Sequence, residues 1–155
     1  GDLNMYQSIE SISDSELREE YVKRFTKQNG ELLRSSRDSA DHLRSVFTNH
    51  DQDREHFAVI YLDGGHKIAK TEVVATGTIN TASIYPREII KKVLEYEAVA
   101  VIISHTHPSG GLTPSNSDRA VTKKIQTALT SIDVELLDHI VIGDGFFSFS
   151  DQGLL

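Results

Sequence analysis

The stretch SHTHPSGGLTPSNSD, from Ser104 to Asp118, places two histidines one residue apart and an aspartate eleven residues after the second. It continues the apolar run AVAVII, and Pro, Gly, Ser and Thr residues dominate the interval between His107 and Asp118. Prolines and paired glycines end a strand and let the chain reverse. The stretch therefore predicts a buried strand, a sharp turn and a helix that starts near Asn116.

His105, His107 and Asp118 can converge on one point in such an arrangement. Residues i and i+2 of an extended chain face the same way, with Cα atoms roughly 6–7 Å apart. A helix that starts after the turn returns Asp118 to the histidines in its first turn. Two imidazoles, one carboxylate and an open fourth position holding a water are the arrangement of a catalytic zinc ion, which lowers the pKa of that water to about 7.

The same residues can also be explained without a metal. A His-x-His pair alone is a weak signal for a metal. With Ser115 as N-cap, Asp118 stands at the N3 position of the helix, where a carboxylate favours the helix dipole. Taken alone, the capping role of Asp118 is the stronger interpretation, although capping and metal ligation are compatible.

The order of elements predicts an α/β fold with a strand–helix–strand unit at its end. Such a unit usually joins two parallel strands by a right-handed crossover, and ligands bind beyond the carboxyl ends of these strands. The apolar patterns predict helices over 37–50, 86–97 and 116–129, and strands over 57–63, 66–79, 98–104, 134–143 and 145–150. An irregularity is expected near Gly77 and a tight turn at Asp144-Gly145.

The first thirty residues predict a helix of their own. Ser13 can cap it, and Leu17, Tyr21 and Phe25 recur every four residues to form one apolar stripe. Gly30 is expected to end it.

Composition fits one domain of 155 residues, 38% of them apolar. The chain has no cysteine, so a metal must be held by His, Asp or Glu, and this composition favours a reducing, cytoplasmic location. No run approaches eighteen apolar residues, and the acidic first twenty residues are unlike a secretory signal. The net charge of −7 disfavours tight binding to nucleic acid regardless of its sequence.

The pattern His-x-His, seven residues and Ser-x-x-Asp resembles the JAMM motif of the MPN/JAB metallohydrolases. Wider segments resemble the RadC-like branch of that superfamily: GTINTASIYPREIIKKVLE, LLDHIVIGDGFFSF and the ending GLL. The resemblance covers residues 31–155, which leaves residues 1–30 as an N-terminal helical extension.

The resemblance implies a zinc ion held by His105, His107 and Asp118, and Ser115 as a donor to the oxyanion of the reaction. It implies a glutamate upstream as general acid and base. It also implies a mixed β-sheet flanked by helices, akin to the cytidine-deaminase-like class.

The glutamate is expected near the start of a hydrophobic strand that precedes the histidine strand. Glu55 fits this place and is favoured over Glu72, which alternates with Lys70 on a strand face expected to meet solvent. Glu88, beside Arg87 in the first turn of a helix, is better explained by the helix dipole.

The remaining histidines are predicted to have structural roles. His139 interrupts a buried strand and is expected to be a hydrogen-bonded core residue that could orient a group near the site. The other four are predicted to lie at or near the surface: His42, His50, His56 and His66.

The leading functional hypothesis is a zinc-dependent hydrolase that cleaves a peptide, isopeptide or related amide bond. A DNA-repair-associated factor or binding module with little or no turnover is the alternative, since RadC-like proteins carry a label of DNA repair. An inactive scaffold is a third reading. The substrate and the oligomeric state stay open.

Overall fold

The computed structural model of the chain describes residues 8–155, so the part of the predicted N-terminal helix on residues 1–7 lies outside the described residues. The helices are α1 (Asp14–Phe25), α2 (Ser36–Phe47), α3 (Pro86–Glu95) and α4 (Asn116–Thr130), preceded by a 3-10 turn over Ile9–Ser11. The strands are β1 (His56–Leu62), β2 (Ile68–Thr76), β3 (Ala100–Thr106), β4 (Glu135–Gly143) and β5 (Gly145–Ser148).

The strands form one sheet in the order β2-β1-β3-β4-β5. β3 and β4 are parallel and joined by α4, while the other neighbouring strands are antiparallel. This confirms the predicted mixed α/β sheet and the parallel strand–helix–strand unit. It places the start of α4 at the carboxyl end of β3, where the histidine pair stands.

β1 is buried along its whole length, as predicted, because both of its faces are covered. Its alternate residues enter two separate cores. Phe57, Val59 and Tyr61 pack under α3 and α4. Ala58 and Ile60 pack on the opposite face, under α2. The sheet is therefore fixed from both sides at its centre.

The N-terminal helix is shorter than predicted, and it is exposed. Ser13 caps α1 as expected, accepting a hydrogen bond from the Glu16 amide. The helix ends at Phe25 and not at Gly30, and the following residues Thr26 and Lys27 are hydrogen-bonded to α2. No residue of α1 is buried, and Leu17 is 50% exposed, so the apolar stripe does not enter the core.

Two histidines predicted at the surface are buried. His42 accepts a hydrogen bond from the Lys27 amide through Nδ1, and its Nε2 lies 2.9 Å from the Thr71 hydroxyl. His56 is buried between a threonine hydroxyl and a backbone carbonyl. Their polar atoms are satisfied, so burial is tolerated. His50 and His66 are exposed, as predicted.

β3 begins and ends two residues later than predicted. Its register with β4 pairs His105 with Val141 and Thr106 with Ile142, so the parallel ladder extends the strand through the first histidine. His105 is therefore held on a strand and not on a loop. Within residues 8–155, no helix combines the length and the apolar character needed to cross a bilayer.

We expect His42 to make the stability of the protein depend on pH. Burial lowers the pKa of His42 from 6.5 to about 4. Between pH 6.5 and about pH 4, His42 is protonated in the unfolded chain but stays neutral in the folded chain. The free energy of unfolding therefore falls as the pH falls from 6.5 to about 4. The full loss is up to about 3 kcal/mol.

Urea unfolding of the wild type and of His42→Gln, in chelator and at several pH values between 4 and 7, measures this contribution. The wild type should lose more stability than the variant across the window. Parallel curves for the two proteins would show that His42 does not carry the effect.

Candidate metal centre

The structure brings together His105, His107 and Asp118 at the carboxyl end of β3. His105 is the penultimate residue of this strand, and the His107 amide donates to the Ile142 carbonyl, 2.8 Å away, which holds the chain beside β4. Asp118 lies in the first turn of α4. One ligand atom from each of the three side chains lies within 4.8 Å of the others.

The polar atoms of this group face one another at close range. Nε2 of His105 lies 3.1 Å from one oxygen of Asp118, Nε2 of His107 lies 3.1 Å from the other, and the two nitrogens are 2.9 Å apart. His105 and Asp118 are buried, whereas the His107 side chain is 15% exposed. The group is therefore reached from solvent on the side of His107.

Hydrogen placement at His107 shows what this group can bind. Its Nδ1 lies 2.8 Å from the Gly111 carbonyl oxygen, which can only accept, so Nδ1 carries the hydrogen. Nε2 is then the nitrogen that is left to bind a cation, on the side of the Asp118 carboxylate. Lone pairs and carboxylate oxygens crowded at about 3 Å are complementary to a cation, and two imidazoles with a carboxylate suit zinc.

Asp118 serves the helix as well. Its amide donates to the Ser115 hydroxyl, and its carboxylate accepts from the Ser115 amide at 2.8 Å, which completes a capping box. This confirms the predicted capping role. Burial raises the pKa of the Asp118 carboxyl, and the hydrogen bonds that link Asp118 to Ser115 oppose this shift.

Two glycines let the loop after His107 pack against the turn between β4 and β5. Gly110 has a φ of 89°, which favours glycine. A Cβ on Gly143 would lie 2.5 Å from the Gly110 carbonyl oxygen. The Asp144 amide donates to that same oxygen, and Asp144-Gly145 forms the predicted tight turn. This contact fixes the loop whose Gly111 carbonyl orients His107.

His139 lies directly behind the candidate ligands. It is buried and hydrogen-bonded, as predicted, and its Nε2 lies 2.7 Å from Nδ1 of His105. Its Nδ1 lies 2.5 Å from the hydroxyl of Thr122 on α4. Burial lowers the pKa of His139 well below its usual value.

The sequence carries little signal for Thr122. It stands four residues after Asp118, so it shares a face of α4 with that residue. Nothing in the sequence shows that His139 contacts Thr122 in the folded protein.

A family model described as RadC-like JAB domain matches residues 33–154. The chain belongs to this family. The UPF0758 protein of Photobacterium profundum is 42% identical over 150 residues, which cover 96% of this chain and 63% of that protein. The UPF0758 protein of Idiomarina loihiensis is 51% identical over 116 residues, covering 74% of this chain and 51% of that protein. The chain therefore spans about half to two thirds of the length of these curated relatives.

In this RadC-like JAB domain, Glu55 precedes β1 and is partly buried. It stands two residues before Phe57, which pairs with His105 in the β1–β3 ladder. Its carboxylate accepts a hydrogen bond from the Ile79 amide at 3.1 Å, and its carbonyl accepts from the Gly77 amide. The structure therefore anchors Glu55 at the histidine end of β1, outside the group of three converging ligand atoms.

Glu72, the other candidate for the general base, is hydrogen-bonded to a residue outside the candidate site. Glu72 pairs with Val59, farther along β1 from the histidines, and its carboxylate accepts a hydrogen bond from the Tyr96 hydroxyl. Lys70 on the same face is exposed, as predicted, but Glu72 itself is partly buried because Tyr96 at the end of α3 covers it. Glu88 lies exposed in the first turn of α3 next to Arg87, as predicted.

We expect Asp118→Ala to weaken the metal-free protein. The alanine cannot accept from the Ser115 amide, and the negative charge at the start of α4 is lost. The free energy of unfolding should fall by roughly 0.5–1 kcal/mol, as measured by thermal unfolding in excess chelator.

Asp118→Asn is the matched control, because its side-chain oxygen can still accept from the Ser115 amide. It should lose less stability than Asp118→Ala. Equal melting of wild type and Asp118→Ala in chelator would rule out the capping contribution.

Proposed function

We propose that this chain is a zinc-dependent hydrolase that cleaves a peptide, isopeptide or related amide bond. The observation that carries the proposal is the convergence of His105, His107 and Asp118 at the solvent-accessible carboxyl end of β3. Membership of a RadC-like JAB family supports it, because a JAB domain with these residues has a donor set that suits zinc.

Zinc bound by these three residues would lower the pKa of a water molecule and polarise the carbonyl of the substrate. Glu55 acts in the proposal as the general base that takes a proton from the attacking water and returns it to the leaving amine. The Ile79 amide already holds its carboxylate at the histidine end of β1.

Ser115 is proposed to stabilise the developing oxyanion. Its hydroxyl oxygen accepts from the Asp118 amide, and a hydroxyl that accepts through a lone pair can still donate its own hydrogen. It is exposed at the start of α4, within the same helix turn as Asp118. One donor of this kind contributes about 3 kcal/mol to the transition state.

The loops beside the site are proposed to select the substrate. The segments concerned are 77–84, which follows β2, and 109–113, which follows the histidine pair. A cavity of about 240 Å³ borders His107 and is lined in part by Arg54, Pro108 and Gly110. Its polar character suits the backbone of a polypeptide substrate better than an apolar ligand.

A DNA-associated role without turnover has weaker support. The net charge of −7 opposes binding to a phosphate backbone. The three converging ligand atoms at the end of β3 would also have no catalytic role in such a protein.

The absence of cysteine from the sequence suits the cytoplasmic location that we propose.

We expect the purified chain to bind one zinc ion, and the double change His105→Ala and His107→Ala to abolish binding. Elemental analysis of dialysed protein measures the stoichiometry. The double change His50→Ala and His66→Ala is the control, because both of these histidines are exposed. Retention of zinc by the first variant would place the ligands elsewhere.

We expect Glu55→Gln to keep zinc and the fold but to lower the hydrolytic rate by about 10²–10⁴-fold. Glutamine keeps an oxygen for the Ile79 amide, yet it cannot accept a proton near neutral pH. The measurement is turnover of a substrate found by screening peptides and isopeptide-linked conjugates with the wild type.

Glu72→Gln is the matched control, since glutamine can still accept from the Tyr96 hydroxyl. It should retain activity. Loss of activity in Glu72→Gln alone would reverse the assignment of the base, and full activity in both variants would remove the glutamate from the mechanism.

A further inference from the structure

Two buried polar side chains outside the candidate ligand set form a hydrogen-bonded chain that ends on His105. The Thr122 hydroxyl lies 2.7 Å from the carbonyl oxygen of Asp118 and 2.5 Å from Nδ1 of His139. Nε2 of His139 lies 2.7 Å from Nδ1 of His105. Thr122, His139 and His105 are all buried, so water does not compete for these contacts.

The direction of each hydrogen bond in this chain follows from the contact between the Thr122 hydroxyl and the Asp118 carbonyl oxygen. A carbonyl oxygen only accepts, so the single hydrogen of the Thr122 hydroxyl is donated to Asp118. The hydroxyl oxygen must then accept from His139, which places a hydrogen on Nδ1 of that ring. The His139 ring packs against Phe149, with ring centroids 4.6 Å apart, and both of its nitrogens are occupied by His105 and Thr122, so no carboxylate is hydrogen-bonded to the buried ring and it is neutral.

A neutral imidazole carries one hydrogen, so Nε2 of His139 can only accept. The hydrogen of His105 must therefore lie on Nδ1, where it is donated to His139. Nε2 of His105 is left with its lone pair, 3.1 Å from the Asp118 carboxylate and 2.9 Å from Nε2 of His107.

We propose that Thr122 and His139 are positioning residues that fix His105 as its Nδ1–H tautomer and aim its Nε2 lone pair at the cation site. A hydrogen bond to the remote nitrogen of a histidine sets which nitrogen is free to bind a metal. The statement about the tautomer stands on hydrogen-bond geometry alone, while the effect on metal affinity rests on the proposed function.

His107 reaches the same tautomer by a separate route, because its Nδ1–H is held by the Gly111 carbonyl. Changes at Thr122 should therefore alter His105 and His139 but leave His107 unchanged. His107 is thus an internal reference in the same molecule.

The tautomers can be read in the metal-free wild type. Long-range 1H–15N correlation spectra of protein labelled with 15N-histidine, recorded in chelator at neutral pH, should show a hydrogen on Nδ1 of His105, His107 and His139. This measurement needs no variant. A His105 ring that carries no hydrogen on Nδ1 would overturn the proposal.

Thr122→Val tests the origin of the effect, since valine keeps the shape of threonine but removes the hydroxyl. Nδ1–H of His139 would lose its acceptor, so the ring should move its hydrogen to Nε2 and donate to His105, which forces the hydrogen of His105 onto its own Nε2. Zinc affinity, measured by competition with a chelator, should fall by about 10–100-fold. Thr122→Ser keeps the hydroxyl and should restore both the spectrum and the affinity.

The outcomes separate this proposal from the proposed function. Zinc affinity of Thr122→Val equal to that of the wild type would overturn the positioning role. A wild type that binds no zinc would remove the proposed hydrolase, whereas the spectrum would still decide the tautomer of His105. Unchanged tautomers in Thr122→Val would show that the hydroxyl does not set them.

Discussion

The parallel pairing of β3 with β4 is the constraint on which the site depends. It carries β3 through His105, it ties the His107 amide to the Ile142 carbonyl, and it requires a crossover that α4 provides. Because a crossover helix must start where the first strand ends, its N-terminal turn meets the histidine pair. The candidate centre is thus assembled by a backbone arrangement, and its side chains occupy positions that the sheet has already defined.

The Asp118 carboxylate has two roles, because it caps the start of α4 and also faces both imidazoles of the candidate site. One of its oxygens accepts from the Ser115 amide and faces His107, while the other faces His105. The start of α4 and the orientation of both imidazoles are therefore linked through a single side chain. The structural and chemical explanations of this residue, which compete when the sequence is read alone, describe the same set of contacts.

Local rules allowed the sequence to predict the strand, the turn, the start of α4 and its capping by Ser115 and Asp118, since each depends on residues within a few positions of one another. Contacts between distant segments were not predictable in this way. His42 is buried because it meets Lys27 and Thr71, 15 and 29 residues away. Glu72 is partly buried because Tyr96, 24 residues further on, covers it.

In the candidate site, too, the contacts between distant segments were the part that the sequence did not predict. The residues of the motif lie within fourteen positions of sequence and were found from their spacing. The contact of His139 with His105 spans 34 residues, and its contact with Thr122 spans 17. A polar residue inside the buried strand β4 was visible in the sequence, but its partners depended on how β3, α4 and β4 pack.

The close approach of Gly110 to Gly143 has a consequence for how this domain could acquire new specificity. The backbone of the loop rests on the β4–β5 hairpin with no room for even one methyl group. An insertion there, or a loop grafted from another protein, would have to displace the hairpin as well. Diversification at this edge is therefore confined to the exchange of exposed side chains such as Ser109 and Thr113 on an unchanged backbone path.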